Sequence, residues 1–333
     1  MHILVTGGAG FIGSHLVDRL LDTAHDVTVV DNFITGDVAN LRHRNDHPQL
    51  TVHEHDLTHP FPPEMTDRRV DRIFNLASPA SPRGYGRYPI ETHLANSLGV
   101  LNVLEIARRD GARLLQASTS EVYGDPLVHP QREDYWGNVN PVGPRSCYDE
   151  GKRFAESLTM EFVRQYGLDA RIARIFNTYG PRSKPGDGRV APNFCVQALR
   201  GEPLTIYGDG SQTRSFCFVD DLVSGLIALM ASDGLAGEIV NLGNPAEITI
   251  REFAGVVLQV TRSSSAIVFE PLPTDDPTRR QPDISKATRL LDWRPTVALE
   301  DGLVRMTTYF RATLARPSAQ CPVPSAQLSS ERH

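Results

Sequence analysis

Short apolar runs alternate with amphipathic stretches along the first half of the chain. The apolar runs have the length of β-strands, and the stretches between them carry apolar residues three or four positions apart, as helices packed on a sheet do. The predicted strands are residues 2–6, 26–30, 50–53, 72–76, 113–117 and 170–175. The predicted helices include residues 11–21, 90–109 and 148–166. This alternation indicates an α/β fold with a doubly wound parallel sheet.

A glycine-rich segment, residues 6–13, follows the first predicted strand and opens the first predicted helix. It reads Thr-Gly-Gly-Ala-Gly-Phe-Ile-Gly, which has the spacing Gly-x-x-Gly-x-x-Gly. Such glycines permit a tight turn and let backbone N–H groups approach a pyrophosphate at a helix N-terminus. Asp31 ends the second predicted strand, where a carboxylate accepts hydrogen bonds from a ribose and repels the additional phosphate of NADP. The segment therefore predicts a Rossmann-type site for NAD.

Other residues at the carboxyl ends of the predicted strands belong to the same site, because ligands of such sheets bind at that edge. Asp56 is a candidate for an adenine contact, although a turn or a helix cap explains it nearly as well. The small residues around Ala77 suit a nearby nicotinamide, and a plain turn explains them equally. The predicted cofactor-binding residues are Gly7, Gly10, Phe11, Ile12, Gly13, Asp31, Asn32, Asp56, Leu57, Leu76, Ala77, Tyr148, Lys152 and Thr178.

Two segments supply groups for acid–base chemistry. Tyr148 and Lys152 have the Tyr-x-x-x-Lys spacing, which places a phenol and an ammonium on one face of a helix. The other segment offers two hydroxyls and the Glu121 carboxylate on consecutive residues, and this carboxylate is either a base or a polar positioning group. A phenol titrates near 10, so its use as a base near neutral pH needs roughly 4 kcal/mol of stabilisation, for which Lys152 and a nicotinamide cation are the candidate sources. The predicted catalytic residues are Thr119, Ser120, Glu121, Tyr148 and Lys152.

After residue 180, the regular alternation of predicted strands and helices gives way to short loops and mixed elements. Residues 222–230 are predicted as a helix and residues 238–242 as a further strand. We expect residues 1–180 to form the NAD-binding domain, with 218–245 returning to it, and residues 181–217 and 246–315 to form a substrate-binding region. Residues 316–333 contain few large apolar groups, so we predict a disordered tail there.

The charge, hydropathy and cysteine spacing of the chain argue against nucleic-acid-binding, membrane and metal-binding proteins. The chain has 333 residues and a formal net charge of −6, which argues against a general nucleic-acid binder. No apolar run approaches the length of a membrane span, and the N-terminus lacks the charged region of a signal peptide. The four cysteines have neither disulfide nor metal spacing, and His53-Glu54-His55 lacks a third ligand nearby, so we expect no bound metal. We therefore expect a cytoplasmic protein whose partners are neither nucleic acid nor membrane.

The residues around the two catalytic segments are similar to those of a known family. The chain resembles the extended short-chain dehydrogenases/reductases, and residues 118–153 closely resemble the UDP-glucuronate decarboxylases. The motifs that carry this likeness are Ser78-Pro79-Ala80-Ser81-Pro82, Gly124-Asp125-Pro126, His129-Pro130-Gln131, and residues 133–137, 144–148, 174–182, 208–214 and 279–284. The likeness covers almost everything except the tail.

The resemblance implies a reaction cycle on UDP-glucuronate that yields UDP-xylose. Tyr148 accepts the proton of the 4-hydroxyl as hydride moves to NAD, while Thr119 holds the oxygen and Lys152 lowers the pKa of the phenol. The 4-keto uronate loses carbon dioxide, C5 is protonated with Glu121 or Ser120 positioning the donor, and the hydride returns to C4. Related 4,6-dehydratases carry an aspartate acid where this chain has Ser120, which favours release of carbon dioxide over release of water.

Two other functions stay open at this point. A UDP-sugar 4-epimerase or a nucleotide-sugar 4,6-dehydratase uses the same first hydride step. A non-catalytic NAD-binding protein is the third reading, and the presence of Thr119, Tyr148 and Lys152 argues against it, because a sensor needs only the dinucleotide loop.

The resemblance also implies substrate contacts and a partner. Arg214 and Arg280 are the expected diphosphate clamps, since guanidinium groups match phosphate oxygens. The predicted substrate-binding residues are Pro79, Ser81, Glu121, Asn177, Arg189, Tyr207, Gln212, Arg214 and Arg280.

In relatives, the helices corresponding to residues 90–109 and 148–166 pair across a two-fold axis, which implies a homodimer. Packing within one chain explains their apolar residues equally well, and we expect the series Phe154, Leu158, Phe162 and Tyr166 to form a buried stripe.

Overall fold

The structure is a computed structural model, and it describes residues 1–272 and 279–315 of the chain. Its strands in chain order are β1 (His2–Thr6), β2 (Asp26–Asp31), β3 (Leu50–Glu54), β4 (Arg72–Asn75), β5 (Arg113–Thr119), β6 (Ala170–Ile175), β7 (Thr178–Tyr179), β8 (Leu204–Tyr207), β9 (Thr213–Ser215), β10 (Cys217–Phe218), β11 (Ile239–Leu242), β12 (Glu247–Thr249) and β13 (Ile267–Glu270). Its α-helices are α1 (Phe11–Asp22), α2 (Pro63–Thr66), α3 (Pro82–Arg87), α4 (Pro89–Leu94), α5 (Val100–Asp110), α6 (Ser146–Tyr166), α7 (Val190–Arg200), α8 (Val219–Ala231), α9 (Ile250–Thr261), α10 (Ser285–Leu291) and α11 (Leu299–Leu314).

Seven of the strands form one parallel sheet in the order β11-β6-β5-β4-β1-β2-β3. The chain starts at β1 in the interior of the sheet, winds outward to β3, and then crosses back to β4 on the other side of β1. Ligands of such doubly wound sheets bind beyond the carboxyl ends of the strands, at the point where the winding reverses. The predicted α/β fold is confirmed, and the carboxyl ends of β1 and β4 mark the centre of the site.

The strands were predictable because helices cover both faces of a parallel sheet, which makes its inner strands continuously apolar. Every residue of β1 is buried, for example. The predicted strand at 238–242 is β11, and it joins the edge of the sheet beside β6. The predicted helix at 90–109 consists of α4, a π-helical turn over Ala95–Gly99, and α5.

The apolar series on α6 is only half buried, so the prediction of a buried stripe is wrong at its two ends. Phe162 is buried and Leu158 packs against the core, but Phe154 is 51% exposed and Tyr166 is 48% exposed. Residues four apart advance by about 40° around a helix beyond a full turn, because each residue turns through about 100°. Over the 12 positions from Phe154 to Tyr166 the series therefore drifts across the helix, and its ends leave the buried face.

Two predictions, the disordered tail and the division into two regions, are not tested by the fold. The predicted disordered tail, residues 316–333, lies outside the described residues, and the division into cofactor and substrate regions stays a prediction. No helix within residues 1–272 and 279–315 is long and apolar enough to cross a membrane. In the same described ranges, no group of three or more His, Cys, Asp or Glu side chains is arranged to hold a metal ion.

Candidate active site

A cleft of about 750 Å³ runs along the carboxyl edge of the sheet. All the predicted catalytic residues and all the predicted cofactor-binding residues line it, so the fold brings together segments that are up to 171 positions apart, from Gly7 to Thr178. The predicted substrate-binding residues line it too, with the exception of Arg280. The chemistry predicted from separate motifs therefore meets in one place.

The glycine loop has room only for glycine at two positions where a Cβ would meet backbone atoms, Gly13 and Gly7. A Cβ on Gly13 would overlap the carbonyl oxygen of Gly7 and lie 2.8 Å from the Cα of Gly8. Gly7 has a φ of +69°, and a Cβ there would lie 2.8 Å from the backbone nitrogen of Ala77. The first turn of α1 has no acidic residue and no side-chain cap, so its N–H groups face the cleft without a competing anion. This cradle fits a pyrophosphate.

Asp31 is held firmly at the end of β2. One carboxylate oxygen accepts a hydrogen bond from the backbone N–H of Ala9 at 3.0 Å, and the other accepts one from Phe33 at 2.9 Å. Burial raises the pKa of this carboxyl, and these two hydrogen bonds oppose the rise. A Cβ on Gly36 would lie 2.8 Å from the carboxylate, so glycine keeps the space beside it open. The position fits the ribose of NAD.

Asp56 has the turn role that the sequence left open. It accepts hydrogen bonds from the backbone and hydroxyl of Thr58 at 2.9 and 2.8 Å, and from the Asn32 amide at 3.0 Å. Burial favours the protonated form, but these hydrogen bonds hold the pKa of Asp56 below its ordinary value. Asp56 and Asn32 both line the cleft, so an adenine contact stays a prediction beside the turn role.

Tyr148 lies in the first turn of α6 and is buried against Tyr85. The two rings stack with their centroids 5.2 Å apart and their planes 11° from parallel. Burial raises the pKa of Tyr148 to about 12, and a hydrogen bond with the Thr119 side chain opposes this rise. The protein by itself therefore keeps this phenol protonated at neutral pH.

Lys152 lies one helical turn after Tyr148, as its spacing predicts. Its Nζ donates a hydrogen bond to the carbonyl of Ala117 at 3.0 Å and lies 6.0 Å from the centroid of the Tyr148 ring. Burial lowers the pKa of Lys152 to about 8. Lys152 by itself does not make Tyr148 a base near neutral pH, because burial outweighs the ammonium. The prediction from the sequence also counted on the nicotinamide cation. More positive charge beside the phenol is needed.

A buried ion pair fixes α6 against the sheet. Glu156 accepts hydrogen bonds from the guanidinium of Arg174 at 2.9 and 2.7 Å and from the Ser118 hydroxyl at 2.6 Å. Removal of one partner of such a buried pair is strongly destabilising, because the other charge is then left without compensation. Glu156 thus connects the helix that carries Tyr148 to β6 through Arg174 and to the end of β5 through Ser118.

Glu121 is surrounded by guanidinium groups. Arg145 donates to its Oε2 at 2.5 Å, and Arg280 lies 3.2 Å from its Oε1. Burial would raise the pKa of Glu121, but Arg280, Arg145 and Arg214 together lower it. A carboxylate with a lowered pKa is a weak base, so the structure favours the positioning role among the two that the sequence left open.

Residues 3–243 match the model of the NAD dependent epimerase/dehydratase family. The chain belongs to this family. Its cofactor is NAD, as the glycine loop and Asp31 predicted, and the cradle described above fits that cofactor. The predicted likeness to the extended short-chain dehydrogenases/reductases is confirmed.

Relatives of this chain narrow the comparison. UDP-glucuronic acid decarboxylase 1 of Danio rerio is 55% identical over 312 residues, which cover 94% of this chain and 73% of that protein. UDP-glucuronic acid decarboxylase 3 of Arabidopsis thaliana is 52% identical over 318 residues, or 95% of this chain and 91% of the relative. The likeness to these decarboxylases thus spans nearly the whole described chain.

Solved structures of the family have the same fold. UDP-glucose 4-epimerase of Thermotoga maritima, solved with UDP-glucose, superposes with a TM-score of 0.85 at 33% identity, covering 94% of this chain and 100% of that one. UDP-glucuronic acid 4-epimerase of Bacillus cereus, in complex with UDP-glucuronic acid and NAD, has a TM-score of 0.85 at 29% identity with the same coverage.

In this member of the family, Arg280 does not lie where a diphosphate clamp is expected. It is 1% exposed, and its guanidinium donates to the Ser120 hydroxyl at 3.0 Å and to the carbonyl of Gly124 at 3.1 Å, besides contacting Glu121. Because its terminal nitrogens already bind protein oxygens behind the catalytic residues, its position does not support that role. Arg214 lines the cleft, and its clamp role stays a prediction.

The other predicted substrate-binding residues also line the cleft. Gln212 donates to the carbonyl of Tyr207 at 2.6 Å, which orders the loop after β8. Arg189 donates to Asp187 at 2.8 Å and lies 5.7 Å from the centroid of the Phe11 ring, beside the glycine loop. Their contacts with a nucleotide-sugar stay predictions.

Two residues of the site were missed in the sequence. Tyr85 stacks on Tyr148, and nothing in its local pattern marks it. Arg145 contacts Glu121 and lines the cleft, and it had a signal, because it lies three residues before Tyr148 in a motif already singled out.

Proposed function

We propose that this chain converts UDP-glucuronate into UDP-xylose and carbon dioxide, with NAD recycled within each turnover. The observation that carries the proposal is Ser120, a hydroxyl in the place where loss of water would need an acid. Relatives named UDP-glucuronic acid decarboxylase, 52–55% identical over 93–95% of the chain, support it. A uronate needs no such acid, because oxidation at C4 places its carboxylate β to a ketone.

The side chains of the cleft provide the acid–base steps. Bound NAD would accept the hydride from C4 of the sugar, and its positive charge in the oxidised form would lower the pKa of a nearby phenol. Tyr148 takes the proton of the 4-hydroxyl, while Thr119 holds the oxygen. When carbon dioxide leaves, the electrons of the broken bond enter an enolate, whose oxygen is stabilised by the protonated Tyr148. Tyr148 returns the proton to the 4-oxygen when the hydride returns to C4.

Ser120 and Glu121 face the part of the sugar that changes at C5. Glu121 is held ionised by Arg280 and Arg145, so it accepts hydrogen bonds and does not donate a proton. We assign it the orientation of a water or another donor that protonates C5. One proton is taken up at C5 for each carbon dioxide released, which balances the reaction.

Incubation of the purified protein with UDP-glucuronate and, separately, with UDP-glucose tests the proposal. We expect carbon dioxide and UDP-xylose from UDP-glucuronate, and no product from UDP-glucose, by mass spectrometry and NMR of the nucleotide-sugars. Parallel reactions with added NAD account for loss of cofactor during purification. An isomer of UDP-glucuronate would identify a 4-epimerase, and a dehydrated product of UDP-glucose would identify a 4,6-dehydratase. Absence of all products with added NAD would contradict an enzymatic role.

We also propose that two copies pair through α4, α5 and α6. These helices pack on each other, and they leave an apolar surface uncovered. Its exposed residues are Ile90, Leu94, Leu98, Leu101 and Phe154. Apolar side chains at positions 90, 94, 98 and 101 repeat every three or four residues, so they lie on one helix face. Contiguous apolar patches of this kind on a protein surface are typical of interfaces.

Substitution Leu98→Glu together with Phe154→Glu places charge on this surface and is expected to convert a dimer into a monomer. Sedimentation velocity or light scattering of the wild type and the variant at micromolar concentration measures the change. Val304→Glu, on the exposed side of α11, is the matched control and should leave the mass unchanged. A wild-type monomer, or a dimer that survives both substitutions, would refute the proposed interface.

A cytoplasmic location is part of the same proposal. Three cysteines, Cys147, Cys195 and Cys217, are free and buried, which is usual in a reducing compartment. The fourth, Cys321, lies outside the described residues.

A further inference from the structure

A group of charged side chains surrounds the Glu121 carboxylate at the start of α6. Arg145 precedes the first residue of the helix, and Asp149 lies four positions later on the same face. The Arg145 guanidinium donates to Glu121 at 2.5 Å, and its Nε lies 3.9 Å from Asp149 Oδ2. One cation therefore stands between two carboxylates, one from the turn after β5 and one from α6.

Asp149 is not an ordinary surface partner of a helix ion pair. It is only 7% exposed, and its Oδ1 has no hydrogen-bond partner among the described residues. A buried, unpaired carboxylate oxygen is costly, and exposed pairs at this spacing contribute little to stability. A protein that needed only a helix ion pair here would leave the carboxylate in solvent.

The charged and titratable groups that face Asp149 come from three parts of the fold. Burial and the negative charge of Glu121 raise the pKa of Asp149 to about 7, while Arg145 and Arg280 lower it. Glu150, next on the helix, raises it further. Asp149 in turn raises the pKa values of Tyr85, Cys147 and Tyr148. The group that ionises near neutral pH thus acts directly on the catalytic phenol.

We propose that Asp149 and Arg145 are positioning residues. Asp149 orients the Arg145 guanidinium, and Arg145 holds the Glu121 carboxylate beside Ser120. This inference rests on the proposed function, since it assigns roles within that reaction. Arg280 binds Glu121 from behind, and Arg145 binds it from the cleft side. Both guanidiniums are needed to fix the plane of the Glu121 carboxylate, because a carboxylate bound by only one of them can still rotate.

The two residues act on the Tyr148 phenol with opposite sign. Removing the negative charge of Asp149 stabilises the phenolate, so its pKa falls and the base is available at lower pH. Removing the positive charge of Arg145 leaves Glu121 less compensated, and because the negative charge of Glu121 raises the pKa of Tyr148, that pKa rises. Asp149→Asn should therefore shift the acid limb of the kcat profile to lower pH, and Arg145→Gln should shift it to higher pH, each on the order of one pH unit.

The test compares Asp149→Asn, Arg145→Gln and Arg145→Lys with the wild type. The kcat and KM for UDP-glucuronate are measured between pH 5.5 and 9, together with the melting temperature and NAD content. We expect Arg145→Gln to lower kcat by about tenfold to a hundredfold with a smaller change in KM, and Arg145→Lys to recover most of that loss. Glu161→Gln is the matched control, because Glu161 lies on the same helix and pairs with Arg164 at its exposed surface.

The outcomes separate this inference from the proposed function. A wild type that releases no carbon dioxide from UDP-glucuronate defeats the proposed function and the inference with it. An active wild type whose pH profile superposes on those of Asp149→Asn and Arg145→Gln overturns the inference alone. If Asp149→Asn does not fold, the opposite behaviour of Arg145→Gln and Arg145→Lys decides, because a residue that only stabilises the fold would move the melting temperature and leave the profile in place.

Discussion

Tyr148→Phe is expected to lower the kcat for UDP-glucuronate by about a hundredfold to ten-thousandfold, the usual contribution of one positioned acid–base group. The phenol is the group that takes the proton of the 4-hydroxyl and later returns it, and the Thr119 hydrogen bond fixes its direction. Phenylalanine keeps the ring that stacks on Tyr85, so the substitution removes one hydroxyl and little packing. Steady-state release of carbon dioxide measures the loss.

The NAD content and melting temperature of this variant should stay close to those of the wild type, since the fold and the cofactor cradle do not depend on the hydroxyl. Tyr166→Phe is the matched control at the far end of the same helix, where the side chain is 48% exposed and outside the cleft. Its kcat should equal that of the wild type. Near-full activity of Tyr148→Phe would remove Tyr148 from the reaction.

The second large effect is expected at the glycine loop. Gly13→Ala adds a Cβ that overlaps the Gly7 carbonyl oxygen and lies 2.8 Å from the Cα of Gly8, so the backbone itself has to move. Overpacking of this kind costs about 1–3 kcal/mol, and here the displaced atoms form the cradle for the pyrophosphate. We expect NAD to bind about tenfold to a hundredfold more weakly. Calorimetric titration of cofactor-free protein measures the change.

Gly255→Ala is the control for the glycine experiment. A Cβ on Gly255 meets no heavy atom within 4 Å, and alanine favours the helix that this residue belongs to, α9. NAD affinity should not change, and the melting temperature should be equal or slightly higher. Wild-type NAD affinity in Gly13→Ala would mean that the loop does not approach the pyrophosphate.

Local patterns carried the predictions that were right. The strands of a sheet covered on both faces are short runs of apolar residues, and their order in the chain already implies a doubly wound sheet. The i, i+4 spacing of Tyr148 and Lys152 predicts that both side chains lie on one helix face, whatever the rest of the fold is. The Gly-rich turn likewise depends on a few neighbouring residues.

Predictions that depended on distant neighbours were less reliable. Arg280 was assigned to a diphosphate from its motif, whereas the fold buries it behind Ser120 and Gly124. The effect of Lys152 on the phenol was inferred from its charge, whereas burial decides the pKa of both groups. Phe154 was assigned to the core from its spacing, yet it is exposed. Burial is a sum over the whole fold, so no local window contains it.

The sequence by itself determined the α/β fold, the NAD loop and the Tyr148–Lys152 pair, because each is encoded by residues within one turn, one helix or one strand. The tertiary structure alone decided what surrounds Glu121. Arg145 and Arg280 reach this carboxylate from positions 24 and 159 residues away in the chain, and Asp149 reaches the same cluster from the next turn of α6. Electrostatic interactions depend on distance in space and on exclusion of water, and only the folded chain sets either one.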